Sequence, residues 1–365
     1  MAASPSVRLT PVGFADIDGW SDDDHLAAWQ TFRRSAERLL ASPPTTKPLG
    51  PDASGLRQVA AAALRSDIAT QAAARAFFEA EFTAVRVEPA EGRGFVTAYF
   101  EPEVAASLEA SAAYPVPIYG RPADLVEIAA DDDRGGLDPA LSWARRLADG
   151  RLGAFPDRGA IMDGAIAGQA PVLAYVANWV EALFIHIQGS ARLVLPDGAV
   201  KRITFAGKSG HPYSSLGRLM VERGLMTAAE ATADRLKAWL LGLDEAERRA
   251  VLGRNRSFIF FRPAPVDDAA LGPVAAAGVP LTPGRSLAVD RGLITFHAPI
   301  FVEADLGDVA GRWHRLMVAQ DTGSAIVGPA RGDLFIGTGE AAWAIAARVR
   351  HPARFTLLVP KGAPT

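Results

Sequence analysis

The sequence predicts a mainly β protein, with helices at its N-terminus and more helices between its middle and late strands. Three observations lead there. Apolar side chains recur at helical spacing through Trp20–Leu40 and Leu56–Phe82. From Thr83 onward the pattern changes to short apolar or alternating runs. The late runs are short, frequent and bounded by Gly and Pro, which fits a small barrel better than an alternating βα fold with a parallel sheet.

Taken in order, the two N-terminal helical segments flank a Pro- and Gly-rich gap from Pro43 to Gly55 and form a helical cap. Strands are expected at Val85–Val87, Gly94–Phe100, Leu183–Ile187, Arg192–Leu195 and Val200–Phe205. Between the last two, Leu195-Pro196-Asp197-Gly198 predicts a hairpin turn, because Pro presets φ and Gly accepts a positive one. Thr227 and Glu230 form a T-x-x-E capping box expected to open a helix to about Leu241, and Asp244 opens another toward Leu252. The β pattern then resumes at Phe258–Arg262, Ser286–Asp290, Leu293–Val302, Leu316–Gln320, Ala325–Val327, Asp333–Ile336 and Phe355–Val359.

At 365 residues the chain is long enough for two packed domains or for one carrying a large insertion. Hydrophobic residues at 49% against 22% charged residues place it among folded chains, so disorder is not the default. A net charge of −3 argues against a protein whose work is neutralising nucleic-acid phosphates. The absence of cysteine excludes disulfides, thiolate metal sites, a cysteine nucleophile and a lipid-modified N-terminal cysteine in this sequence. Met1–Asp24 has no basic segment followed by an apolar run, so no secretory signal is expected as written. Ala170–Ile187 is apolar, yet Pro171, Asn178, Glu181 and His186 make it a poor membrane span.

Candidate chemistry concentrates in the last third, where Asp290, Asp321 and Asp333 each sit at the edge of an apolar run. An aspartate in such a place is usually a backbone cap or turn former. Three close together favour a catalytic role for at least one. The histidines show no metal-ligand spacing, so no metal is expected. Gly337-Thr338-Gly339 is too short for a nucleotide fingerprint, and no cofactor is expected.

The same segments resemble a known family. Ala319-x-Asp321-x-Gly323-x-Ala325-Ile326-x-Gly328, followed by Asp333-Leu334-Phe335-x-Gly337, resembles the three-aspartate domain of the membrane-bound lytic murein transglycosylase A family. Gly94–Pro102, Phe184–Arg192, Ala206–Arg218 and Asn255–Arg262 resemble its other motifs in the same order. The resemblance implies a double-psi β-barrel with an inserted second β-domain and a glycan groove between them. The matching assignment is an N-terminal helical region at 1–82, a barrel from 83–106 and 244–365, and an insertion at 107–243.

The resemblance also implies the reaction. The β-1,4 bond between N-acetylmuramic acid and N-acetylglucosamine in peptidoglycan is broken, and the sugar's own C6 hydroxyl closes a 1,6-anhydro ring. Asp333 matches the catalytic position, serving as acid and then as base. For this its pKa must rise above the ~3.9 of a free aspartate, through burial or a neighbouring carboxylate. Asp321 is expected to orient or polarise the site, and Asp290 to have a structural or electrostatic role. Thr97, Tyr99, Gln188, Gly189, Ser190, Lys208, Tyr213, Ser214 and Arg331 are the candidate glycan-binding residues, each with a structural reading beside the functional one. The expected partner is peptidoglycan glycan in the periplasm or cell envelope of a bacterium, with peripheral outer-membrane association, a monomeric state and no nucleic acid. A non-catalytic glycan-binding wall module is the alternative.

Overall fold

The computed structural model describes residues 7–90, 92–227 and 230–362. The expected assignments at 1–6 and 363–365 lie outside the described residues. The chain is mainly β with helices, and it divides into two compact units, Met1–Phe100 with Asp268–Thr365, and Glu101–Asp267. Among the described residues no helix is long and apolar enough to cross a membrane.

In the first unit the helices His25–Ala41, Ala53–Arg65 and Gln71–Glu81 begin at side-chain caps. Asp24 accepts from the Ala27 amide, Asp52 from those of Ser54 and Gly55, and Thr70 from that of Ala73. The single helical pattern expected over Leu56–Phe82 is therefore two helices, because Thr70 caps a fresh start after the break at 66–70. Ala28, Phe32, Ala36 and Leu39 share one face of the first helix and are fully buried. Phe32 meets Phe78 and Phe82 at ring-centroid distances of 6.1 and 5.9 Å.

The helices cover one face of an eight-stranded sheet. Its strands run Val7–Val12, Phe82–Pro89, Arg350–Pro360, Pro299–Asp305, Arg312–Asp321, Ser286–Val289, Arg331–Thr338 and Phe95–Glu101. Arg350–Pro360 also pairs with Phe95–Glu101 through Arg350↔Thr97. Alternation along the strands sends Phe301, Leu316 and Val318 to the helical core, and Ile300, Val302, Met317 and Ala319 to a second core on the other face. Burial on both faces explains why these strands read as nearly continuous apolar runs.

Several expected strand boundaries change in this unit. The run expected as a strand from Leu293 begins only at Pro299, because the amides of Leu293 and Ile294 turn back to the Asp290 carbonyl and His297 holds a left-handed φ of 69°. Ala325–Val327 is a turn instead of a strand: the Ile326 amide returns to the Gly323 carbonyl, and Val327 is 72% exposed. The helix Gly339–Ala346 and the first strand, Val7–Val12, were not anticipated.

The second unit has a six-stranded sheet, ordered Ile259–Ala264, Val200–Lys208, Ser190–Val194, Glu103–Ser107, Val172–Val176 and Val116–Tyr119. A three-stranded sheet of Leu125–Glu127, Trp143–Arg146 and Leu152–Gly153 accompanies it. Ile259–Ala264, read from sequence as the start of the late barrel strands, pairs here with Val200–Lys208. The predicted hairpin forms, with Val194 opposite Val200 and Gly198 at φ 82°.

Leu183–Ile187, expected as a strand, lies inside the helix Trp179–Gln188. Asn178 caps it by accepting from Val180 and Glu181, and Gly189 ends it in the left-handed region. Residues 182–186 are all buried, so the helix shows no polar stripe to betray its period. Thr227 and Glu230 do hydrogen bond, but the helix starts at Ala233, capped by Thr232. A further helix, Leu216–Glu222, precedes it, so more than the two expected helices separate the middle strands from the later ones. At the edge of this unit Glu101 is fully buried and accepts from Arg192 at 2.9 Å and from Arg202 at 2.7 and 3.0 Å.

Candidate functional site

Strand register creates the central arrangement. Ser286–Val289 runs antiparallel to Arg331–Thr338 and parallel to Arg312–Asp321, so Ala288 faces Asp333 on one side and Asp321 on the other. The backbones of the two aspartates are thereby two strand spacings apart, about 10 Å. Gly332 beside Asp333 is required by packing, since a Cβ there would lie 2.9 Å from both Leu287 and Phe355.

Thr97 and Tyr99, two residues apart on Phe95–Glu101, each serve one of these carboxyls. The Thr97 hydroxyl donates to Asp333 Oδ1 and accepts from Arg331 Nη2 at 2.6 Å. Arg331 also donates to the Gly332 carbonyl, and its guanidinium lies over the Phe95 ring at 5.6 Å. Burial raises Asp333 above the usual carboxylate range, opposed by the Thr97 hydrogen bond and the Arg331 charge. Burial lowers the Arg331 guanidinium in turn, with Asp333 opposing.

The Tyr99 hydroxyl donates to Asp321 Oδ2 at 2.9 Å, and the Ala276 amide donates to Oδ1 at 3.3 Å. Burial pushes Asp321 up to about 6, against the opposing hydrogen bonds of the Thr322 amide, Tyr99 and the Ala276 amide, with a small further upward push from Asp333. Burial, and then the charge of Asp321, holds the Tyr99 phenol well above its ordinary value, so Tyr99 is a neutral donor throughout the working pH range. Its ring packs on Phe335 at 5.3 Å.

Asp290 is engaged with backbone. Oδ1 accepts from Gly292 and Oδ2 from Gly328, each at 2.9 Å. Together with the Thr322 hydroxyl donating to the Val289 carbonyl at 2.8 Å, it ties the turn after Val289 to the loop after Asp321. Asp290, Asp321, Asp333, Thr97, Tyr99 and Arg331 all lie in the first unit.

The other predicted residues belong to the second unit. Gln188 ends a helix, Gly189 is its C-cap at φ 78°, and Ser190 opens the next strand and is buried. Lys208 ends its strand opposite Ile259. Tyr213 is exposed, and the Ser214 amide donates to Asn255 Oδ1 at 3.2 Å.

Two polar groups were not singled out in the sequence. The Ala276 amide supports Asp321 from a loop with no motif, so no sequence signal could have found it. In the second unit the buried Arg158 donates to the carbonyls of Asn255 and Ser257 and contacts His186 Nδ1 at 3.0 Å. Burial and this guanidinium hold His186 well below its ordinary pKa, so it is a neutral core residue. Among the described residues no group of three or more His, Asp or Glu side chains is placed to hold a metal ion.

The chain matches the MltA specific insert domain over residues 95–262 and the 3D domain over residues 285–359. It is 34% identical over 217 residues to a membrane-bound lytic murein transglycosylase A of Vibrio cholerae, a stretch covering 58% of this chain and 57% of that protein. The match thus spans little more than half the length of that relative. The solved structure of a membrane-bound lytic murein transglycosylase from Agrobacterium tumefaciens shares 40% identity and a TM-score of 0.89, covering 97% of this chain and 98% of that one. Escherichia coli MltA with bound chitohexaose shares 25% identity and a TM-score of 0.69, covering 99% and 96%. With near-complete coverage of a relative at this identity, the chain belongs to the membrane-bound lytic murein transglycosylase A family.

Proposed function

We propose that this chain is a peptidoglycan lytic transglycosylase in which Asp333 acts first as general acid and then as general base. The observation that carries this reading is the Asp333 carboxyl, raised by burial and held by the Thr97 hydroxyl, with no other carboxylate hydrogen-bonded to it among the described residues. The upward shift is in the direction a general acid needs, toward holding its proton for the leaving oxygen at higher pH.

The steps balance with one carboxyl. Asp333 gives its proton to the glycosidic oxygen as the C1–O bond breaks, and positive charge develops at C1. The C6 hydroxyl then attacks C1, and its proton returns to Asp333, so no water is consumed. Two-carboxylate glycosidases need a base or nucleophile about 5–9.5 Å from the acid. Here Asp321 has its own separate donors, Tyr99 and the Ala276 amide, which supports an electrostatic role. Ionised above about pH 6, it favours the charge developing on the sugar. Asp290 holds the loop that follows Asp321.

The first unit is read as the catalytic domain, built on a double-psi barrel, and the second as the inserted β-domain. Supporting the barrel, Arg350–Pro360 pairs at its start with Phe95–Glu101 and further on with Pro299–Asp305. In the second unit Lys208, Tyr213 and Ser214 are kept as glycan contacts, together with Gln188, while Gly189 and Ser190 shape the backbone. The relative solved with chitohexaose supports a β-1,4-linked amino-sugar ligand. The substrate places the protein in the bacterial cell envelope, working as a monomer.

The test is mass spectrometry of products from purified peptidoglycan with the wild type and with Asp333→Asn. Anhydro ends, lighter by one water, from the wild type alone are expected. Hydrated ends would make the chain a hydrolase, and no product from either would leave a glycan-binding module.

A further inference from the structure

Behind Asp321, on the helical side of the sheet, lies a buried polar chain that the mechanism does not use. Ser35, Ser286, Gln320 and His297 are buried to 2% exposure or less. The Thr282 amide donates to Ser286 Oγ at 2.7 Å, and Ser286 Oγ donates to Gln320 Oε1. Gln320 Nε2 donates to Ser35 Oγ at 2.8 Å and points its second hydrogen at the Thr31 carbonyl at 3.4 Å. The carbonyl fixes the amide orientation, since a flipped amide would face oxygen with oxygen. Ser35 Oγ, which accepts from Gln320, also hydrogen bonds with His297 Nδ1 at 3.0 Å, the donor being set by the imidazole tautomer. Burial, with a smaller push from Arg38, lowers His297 to about 4, so it stays neutral and adds no charge to the buried chain.

Ser286, Gln320 and Ser35 are thus linked end to end between the Thr282 amide and the His297 ring. Thr31 and Ser35 belong to the first helix, so that helix grips the strand residue immediately before Asp321. The Gln320 carbonyl in turn accepts from the Ala277 amide at 3.0 Å, and the neighbouring amide, Ala276, donates to Asp321 Oδ1. Burial of so many polar groups is costly unless all are satisfied, and a satisfied network imposes one geometry.

We infer that Gln320 is a positioning residue for Asp321, and that the N-terminal helix acts on the site through Ser35. The inference rests on the proposed role of Asp321. Loss of the network lets the Gln320–Asp321 strand end and the Ala276–Ala277 loop shift, and displacements near 1 Å cost on the order of a hundredfold in rate.

Two measurements test it on Gln320→Met and the milder Ser35→Ala, with circular dichroism confirming that each is folded. In the first, the Asp321 carboxyl is titrated by carbon-13 NMR without substrate. Its midpoint should move upward in both variants, as the Ala276 amide is lost, while Asp333 stays in place. An unmoved Asp321 overturns the inference whatever the enzyme does. In the second, turnover of peptidoglycan should fall roughly tenfold to a hundredfold in kcat with KM held, and the same substitutions added to Asp321→Asn should cost nothing further. An equal loss in both backgrounds means that the network only stabilises the fold. If Asp321→Asn alone leaves turnover unchanged, the functional reading of Asp321 fails, and the titration still decides the structural coupling.

Discussion

The Tyr99 hydroxyl donates to Asp321 at 2.9 Å from the same strand face on which the Thr97 hydroxyl donates to Asp333. One strand thus supplies a separate donor to each of two raised carboxyls, and the two titrate in different surroundings. Asp333 has a cation nearby through Arg331, whereas Asp321 has only neutral donors. Environments that separate two carboxyls in this way also separate their roles.

Tyr99→Phe keeps the packing against Phe335 and removes only the hydroxyl. That hydrogen bond lowers Asp321, so its loss raises a group already at about 6. If ionised Asp321 supports turnover, the acid limb of kcat should move to higher pH. A pH–rate profile of anhydro-product formation decides this, and an unchanged acid limb would remove Asp321 from the mechanism.

Arg331→Gln removes the charge that opposes protonation of Asp333. The general acid must be protonated to act, so a higher pKa extends activity upward. The alkaline limb of kcat/KM should rise, even though kcat falls because Thr97 loses its donor. Movement of that limb to lower pH would mean that Arg331 acts chiefly on the substrate.

Asp321→Asn should stabilise the fold while impairing turnover. A carboxyl raised from 3.8 to about 6 binds more protons folded than unfolded between those values, so stability falls as pH rises through that window. Full removal of the shift corresponds to about 3 kcal/mol at most. The asparagine amide cannot accept from both Tyr99 and Ala276, so a gain of about 1 kcal/mol is expected. Thermal unfolding should give a higher Tm for the variant at pH 7.5 and a lower one near pH 4, where the carboxyl is protonated in the fold and only the lost hydrogen bond remains. A lower Tm at both values would contradict the raised carboxyl.

Much of the first unit was legible because its strands carry their period in the sequence. The Asp-bearing runs at Ser286, Leu316 and Asp333 stand between turn residues, and each became a strand. The errors have separate causes. Residues 183–186 are buried in succession, and a short run of that kind looks the same as helix or strand; the readable clue was Asn178 before it and Gly189 after it. Ala325–Val327 has strand-forming residues, yet Asp290 and Gly323 hold it in a loop, a long-range effect no local window contains. The short strands Leu125–Glu127, Trp143–Arg146 and Leu152–Gly153 are too brief to show any alternation. In the site, the aspartates were visible as types at strand edges. Their pairing across Ala288 depends on register, and the Ala276 donor on a loop path, so neither could be read.

Glu101→Gln should be among the most destabilising single changes in the second unit. Its carboxylate is fully buried and receives three hydrogen bonds from Arg192 and Arg202, which are themselves 8% and 5% exposed. Neutralising it leaves two buried guanidiniums facing an amide, and breaking such a pair costs about 3–5 kcal/mol. Chemical denaturation should show a loss of that size. A loss below about 1 kcal/mol, as for an exposed pair, would mean that water reaches the arginines.

Asp290 separates structural from chemical roles among the aspartates. Both its carboxylate oxygens accept backbone amides, those of Gly292 and Gly328, and the second bond reaches across to the loop after Asp321. Asp290→Ala leaves both amides without this acceptor; Gly292 is exposed and can turn to water, so the cost of about 1 kcal/mol falls mainly on the half-buried Gly328 bond. Asp290→Asn keeps one acceptor and should fall midway in stability. Turnover should follow the loosening of residues 322–328, with Asn retaining more activity than Ala. Limited proteolysis in that loop should accelerate in the same order. If instead both variants keep the wild-type Tm and cleavage rate but lose all turnover, the backbone bonds are not what Asp290 is for, and it acts on the sugar with Asp333. The two carboxylate–amide distances of 2.9 Å favour the first outcome, because each oxygen is already engaged by a backbone amide that fixes the turn or the loop.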